Sequence, residues 1–169
     1  RQITFPVENP ERMPSPRYYD EECYKVENER LWTHVWQMAC RLEQIQNVGE
    51  WVEYSILGKS VIIVRAKEGV KAFHKACRHR GLPLAEEGGH GNCKTPGFIC
   101  PFHGWRWNME GENTVVYGKH MFSPAQLDQA DLPPRTLPHR LSARRAFLHL
   151  DPRRPPPRAP LPPVATPPP

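Results

Sequence analysis

The sequence predicts a mainly β fold of antiparallel hairpins, preceded by one N-terminal helix. Three observations predict it. A helical hydrophobic period is confined to the stretch beginning at residue 20, "DEECYKVENERLWTH". Short runs rich in β-branched and aromatic residues follow over 51–77, broken by tight turn sequences. Two glycine-bearing segments, "CRHRG" (77–81) and "CPFHGWRW" (100–107), then each carry one cysteine and one histidine.

The elements read in order as follows. Residues 1–17 hold four prolines and read as an extended arm. The helix is expected within 18–36, with its body at 20–34. Its first turn carries acidic residues, where the helix dipole favours them. Tyr24, Leu31 and Val35 fall at i, i+7 and i+11 on one face, and Trp32 and Trp36 extend that apolar surface. In "WVEYSILGKSVIIVRAKEGVKAFHKAC" the period changes, with breaks at Leu57-Gly58-Lys59 and Lys67-Glu68-Gly69. "SVIIVR" (60–65) has the pattern of a buried strand, and "GVKAFHKA" (69–76) alternates, with Val70, Ala72 and His74 on one face. The segment 82–96 is glycine-rich and irregular. "GFIC" (97–100) and "WRWNMEGE" (105–112) give a strand, a turn loop and a second strand, and "RRAFLHLD" (144–151) gives a last one. From Pro152 onward ten of eighteen residues are proline. Proline lacks the amide proton and fixes its backbone angle, so 152–169 reads as a polyproline-like or disordered tail. Its spaced prolines would also suit an SH3-type ligand, although an unstructured end is the simpler reading.

Composition narrows the function. The chain has 169 residues, about one domain, and a hydrophobic share of 38%, enough for one modest core. The net charge of +5 resides in residues 131–169, where seven arginines face two aspartates; residues 1–130 balance at 16 cationic against 16 acidic. A neutral body with a basic tail argues against a nucleic-acid surface. Nothing resembles a signal peptide or a membrane span, which argues against a membrane partner. Five cysteines make an odd number, so a disulfide framework is not expected and a reducing cytoplasm is. The first residue is Arg1, as in a fragment or a processed form.

The two Cys/His segments carry the chemistry. Cys77 and His79 are one residue apart, Cys100 and His103 two. Two soft sulfur ligands suit iron with bridging sulfide, and imidazole suits iron or zinc. If two hairpin loops face each other, both sulfurs meet one metal and both imidazoles a second, as in a [2Fe–2S] cluster with histidines on one iron. Gly81 and Gly104 permit a tight backbone near it. Four such ligands would also hold one tetrahedral zinc, but zinc sites pair ligands as C-x₂₋₄-C and H-x₃₋₅-H, which is not the order here.

These segments match the Rieske signature C-x-H…C-x₂-H. The chain resembles the N-terminal part of the α (large) subunit of Rieske non-haem iron aromatic-ring-hydroxylating oxygenases. The tryptophan-bearing helix, "GEWVEYSILGKSVIIVR", "VKAFHKACRHRG" and "CPFHGWRWNMEG" fit that family in order over about 17–125, with a weaker match to 150. The resemblance implies a Rieske-type antiparallel β-sandwich at 37–151 with a two-loop cluster-binding subdomain. It also implies a Rieske [2Fe–2S] cluster held by Cys77, His79, Cys100 and His103. Twenty residues separate His79 from Cys100, a few more than the family usually has, with the surplus in "EEGGHGNCKTPG". Within it, His90 is expected to be a surface-loop histidine and Cys93 a free thiol, and neither a ligand. Cys23 on the helix and Cys40 on a strand read as small buried residues. Phe102 stands where disulfide-bearing Rieske proteins have a second-loop cysteine, and Trp105 where a serine hydroxyl usually donates to the cluster. Fewer hydrogen bonds stabilise the reduced cluster less, which places the potential toward the lower end of roughly −150 to +300 mV. Trp105 would screen the cluster or simply pack in the core.

Such a potential suits a ferredoxin or flavin reductase as electron donor. In the family the electron goes to a mononuclear Fe(II) held by two histidines and a carboxylate in a C-terminal domain. This sequence has no D-x₂-H-x₄-H set: His120, His139 and His149 are scattered. The chain alone is therefore expected to carry an electron without inserting oxygen. The full-length protein would be a dioxygenase or monooxygenase subunit, assembled as a homo-oligomer (trimer) or an α/β hetero-oligomer. After residue 130 the sequence departs from the family, reading Ser142-Ala143-Arg144 before the last strand. Two alternatives stay open: a free-standing Rieske ferredoxin, and a zinc-stabilised interaction module with the proline tail as its partner ligand. The N-terminal helix favours the oxygenase, because simple ferredoxins start near the first strand.

Overall fold

The computed structural model describes residues 12, 14–93, 97–127 and 134–153. The expected arm before residue 12 and the proline-rich tail beyond Arg153 lie outside the described residues. The chain divides into two compact units, Arg1–Val35 and Trp36–Pro169. In the first, a 3₁₀ turn at Ser15–Tyr18 precedes helix α1 (Glu21–Glu27), which continues as a widened π turn at Asn28–Trp32. Asp20 has an extended backbone, and its carboxylate accepts the Cys23 amide at 2.9 Å, so the helix starts after it. Glu21 and Glu22 complement the dipole in the first turn. Helical structure therefore covers 21–32, shorter than the sequence suggests. The Thr33 hydroxyl donates back to the Glu29 carbonyl where it ends.

The second unit is built of antiparallel strands, as expected. They are β1 (Gln37–Arg41), β2 (Glu50–Ile56), β3 (Lys59–Ala66), β4 (Gly69–His74), β5 (His90–Asn92), β6 (Phe98–Ile99), β7 (Arg106–Trp107), β8 (Asn113–Val115), β9 (His139–Ser142) and β10 (Arg145–Leu148). They form three sheets, ordered β1-β10-β9, β4-β3-β2-β5 and β6-β7-β8. The β4-β3-β2-β5 sheet is the middle layer. Val61 and Ile63 on β3 join Val52, Ala72, Cys40, Ala146 and Leu148 in one core. Ile62 and Val64, on the opposite face of the same strand, join Phe73, Phe98, Cys77, Cys100, Trp105 and Trp107 in a second. A strand covered on both faces needs apolar side chains at every position, which is why "SVIIVR" reads as a continuous run. The register is regular, with Ile62 facing Glu53 on β2 and Phe73 on β4.

The β2–β3 connection is a two-residue turn at Leu57 and Gly58, with φ of 53° and 68°. Both residues are left-handed, the form whose twist matches that of a hairpin. Two strands carry no clear signal in the sequence. β5 lies within the segment expected to be irregular. It pairs antiparallel with β2, Trp51 facing Gly91 and Val52 facing His90. β9 is polar along most of its length and is a strand because it pairs with β10.

Candidate metal centre

Two loops project from the second core. The first leaves β4, the second joins β6 to β7. Their sequences differ, yet their backbones close alike. In the first, the Gly81 amide donates to the Cys77 carbonyl at 2.8 Å and the Cys77 amide to Leu82 at 2.8 Å. In the second, the Gly104 amide donates to the Cys100 carbonyl at 3.0 Å and the Cys100 amide to Trp105 at 2.8 Å. Each glycine, four residues after its cysteine, is left-handed, with φ of 74° and 69°. A Cβ at either would meet nothing within 4 Å, so the backbone angle and not crowding calls for glycine.

This repeated closure aims the side chains. Cys77 and Cys100 are both 3% exposed, and their thiols lie against each other. Burial pushes the Cys77 thiol up; amides of His79 and Arg80, which donate to its sulfur, act against that. The imidazoles form a second pair, with ring centroids of His79 and His103 4.8 Å apart. The Trp105 indole lies parallel to His79 at 4.8 Å and 7°, Phe122 closes on the edge of both at 5.6 Å, and Phe102 covers His103 at 3.9 Å. Burial, with His103 and Arg80 nearby, holds the His79 imidazole below its usual value and so in the neutral form that binds metals. His103 Nδ1 is buried and has no hydrogen-bond partner, and the same holds for Trp105 Nε1.

The sequence-predicted residues thus come together as two pairs, sulfur with sulfur and nitrogen with nitrogen. Among the described residues no three His, Cys, Asp or Glu side chains converge as on a single ion. A donor set split two and two fits a two-iron cluster, and the orphaned His103 Nδ1 is an acceptor awaiting a partner. The other candidates lie elsewhere. His90 is exposed on β5. Cys93 is a free thiol but not a surface one: it is 8% exposed, donates to the Gly49 carbonyl at 3.1 Å and is pushed up to about 11 by burial. Cys40 is buried as expected and likewise raised to about 11, with Arg65 partly offsetting the desolvation. His139 contacts the Leu137 carbonyl, and His149 is buried against Trp36.

One group beneath the first loop escapes sequence reasoning. The Glu53 side chain is 2% exposed and takes hydrogen bonds from Ser55, Ser60, the Gly88 amide at 2.8 Å and Lys75 Nζ at 3.2 Å. Burial alone would raise this carboxyl, but the donors outweigh it and hold it at about 2. Lys75 lies two residues before Cys77, its amide bound to the Ser60 carbonyl and its carbonyl to the Leu84 amide. Glu53 therefore ties the β2–β3 hairpin, the root of the loop and the 86–89 turn together. An acidic residue on an alternating strand reads as solvent-facing, and nothing local reveals a partner 22 residues away.

The model of the Rieske [2Fe-2S] domain matches residues 35–121. The 2-aminobenzenesulfonate 2,3-dioxygenase subunit alpha of Alcaligenes sp. is 29% identical over 113 residues, covering 66% of this chain and 28% of the relative. The chloroplastic choline monooxygenase of Spinacia oleracea is 35% identical over 108 residues, 63% of this chain and 24% of the relative. Among solved structures, naphthalene 1,2-dioxygenase from Rhodococcus sp. bound to indole has a TM-score of 0.73 at 29% identity, over 83% of this chain and 32% of that one. The chain spans about a quarter to a third of the length of these relatives. With the matched region covering more than half of its length and centred on the two like-folded loops, the chain belongs to the Rieske [2Fe-2S] domain family.

Proposed function

We propose that Cys77 and Cys100 bind one iron of the [2Fe–2S] cluster and His79 and His103 the other, and that the domain relays single electrons to an oxygenase iron. The observation that carries the assignment is the pairing itself: two buried thiols in contact, and two adjacent imidazoles, one with a buried Nδ1 that nothing in the protein satisfies. When bound, the cluster supplies a one-electron carrier. The protein residues supply the rest. The His79 and Arg80 amides stabilise negative charge on the Cys77 sulfur. Trp105 and Phe122 exclude water from the inner side of the imidazoles. His79 and His103 keep partly exposed edges, which offer a short way in or out for an electron.

The wider setting follows from the relatives. Two are named as oxygenases and one as an alpha subunit, which supports a role as the electron-relaying part of an oligomeric oxygenase, a homotrimer or an α/β assembly. The mononuclear Fe(II) would then belong to a C-terminal domain beyond the aligned part, and a ferredoxin or flavin reductase would deliver the electron. Five unpaired cysteines support a reducing location such as the cytoplasm. Among the described residues no helix is long and apolar enough to cross a membrane.

The test is metal and sulfide analysis of the full chain reconstituted under anaerobic conditions. Two irons and two acid-labile sulfides per chain are expected, with both lost in Cys77→Ser. One zinc and no sulfide would overturn the assignment.

A further inference from the structure

A groove of about 450 Å³ lies between the β2–β3 turn, the first loop and Arg135. Four of its ten lining residues are cationic, namely Lys59, Lys75, Arg78 and Arg135, His74 adds an imidazole, and no carboxylate is among the ten. Lys75 turns its ammonium inward to Glu53. Lys59 and Arg135 both line it and stand exposed. Their field reaches the His74 imidazole: after burial, Lys59 and Arg135 are what hold it below its usual value. Apart from Arg135, these cations belong to residues 1–130, which balance at 16 cationic against 16 acidic. The groove also adjoins the cluster-binding loop. Arg78 sits between Cys77 and His79, and Gly81 closes the loop, so anything seated in the groove touches that backbone.

We propose that the groove is the landing surface for a carboxylate-rich face of the protein that delivers the electron. The inference rests on the cluster assignment above and adds to it the place and the charge of the partner. Opposite charges within about a Debye length, roughly 10 Å at 0.1 M salt, speed encounter and fix its orientation. An acidic partner held by Lys59 and Arg135 rests against the loop that carries Cys77 and His79.

The experiment uses the full chain loaded with its cluster. Stopped-flow absorbance follows its reduction by two reductants, an acidic plant-type [2Fe–2S] ferredoxin and a photoreduced, uncharged deazaflavin radical. The ratio of the two rate constants reports docking. At low ionic strength Lys59→Glu and Arg135→Glu should each lower the ratio about tenfold, and Lys59→Gln and Arg135→Gln by a smaller factor. Lys67→Glu, in the β3–β4 turn away from the groove, makes the same change in net charge and should leave the ratio within about twofold. Equal ratios in the groove variants and wild type would overturn the docking, as would an equal loss in Lys67→Glu. Inhibition by inorganic phosphate beyond that of sodium chloride at equal ionic strength would assign the groove to a small free anion and overturn it too. Wild type without a Rieske spectrum would instead overturn the cluster assignment.

Discussion

His103 Nδ1 is buried without a hydrogen-bond partner in the protein. A buried acceptor with no partner costs about 1–3 kcal/mol. Natural proteins keep such an atom when something else satisfies it, and in the proposed assignment an iron of the cluster does so. The ring packs with Phe102 at 3.9 Å and His79 at 4.8 Å. Exchanging either imidazole for thiolate adds negative charge and electron donation, which favour ferric iron. His79→Cys and His103→Cys should therefore each lower the midpoint potential, by on the order of 100 mV, a fraction of the gap between Rieske and all-cysteine clusters. Protein-film voltammetry of variants that keep two irons reads this directly, and an unchanged or higher midpoint contradicts the ligand roles.

Among the elements, the middle sheet and the carboxylate standing on it set the loops. Glu53 faces Ile62 across the β2–β3 ladder, on the face that carries the second core, so its charge lies under the first loop and not in solvent. Glu53→Gln leaves the buried Lys75 ammonium without its counter-charge. A loss of about 3–5 kcal/mol is expected, read as a lower urea midpoint. The pH dependence has a definite sign. The folded-state value of about 2 lies below the ordinary 4.5, so the stabilisation is complete above pH 4.5 and fades as pH falls toward 2. Wild type and Glu53→Gln should differ most at neutral pH and converge only as pH falls to about 2, where the carboxyl becomes protonated in the folded protein and resembles the amide. A stability difference that stays constant from pH 7 to pH 2 would show that Glu53 is not held as a carboxylate.

On the scale of the whole molecule, two cores share one sheet, and only one contains the proposed ligands. Cys77 and Cys100 pack with Ile62, Val64, Phe73 and Trp107, whereas Val61, Ile63, Ala146 and Leu148 pack on the far face. Removing iron should loosen the first assembly and spare the second. Hydrogen exchange of the metal-free chain is expected to lose protection over 77–84 and 98–107 while β3 and β10 remain slow. Uniform loss throughout the domain would mean that both cores depend on the metal, and no loss that the loops are held without it. Phe73 anchors the core that holds the two cysteines, since it is fully buried, contacts Phe98 edge-on at 5.6 Å and bridges to Thr136 through its backbone.

Local chemistry made the loops readable without coordinates. A cysteine followed four residues later by glycine is a closed turn in itself, because the left-handed glycine permits the amide to return to the cysteine carbonyl. "SVIIVR" likewise carries its own burial on both faces in its composition. Other features depend on partners distant along the chain. The irregular-looking 82–96 holds β5 because residues 90–92 find β2 as their partner. Cys93, expected as a free thiol, is one, but it packs in the second core and donates to the Gly49 carbonyl, a partner far back in the chain. Glu53 is an anchor only because Lys75, Gly88 and Ser60 converge on it from three segments. The groove exists only where the β2–β3 turn, the first loop and Arg135 meet. Sequence determined what each stretch could do through its backbone angles and side-chain chemistry. Tertiary structure decided which distant groups those stretches meet, because the free energy of burying both faces of the middle sheet depends on pairings that no local pattern encodes.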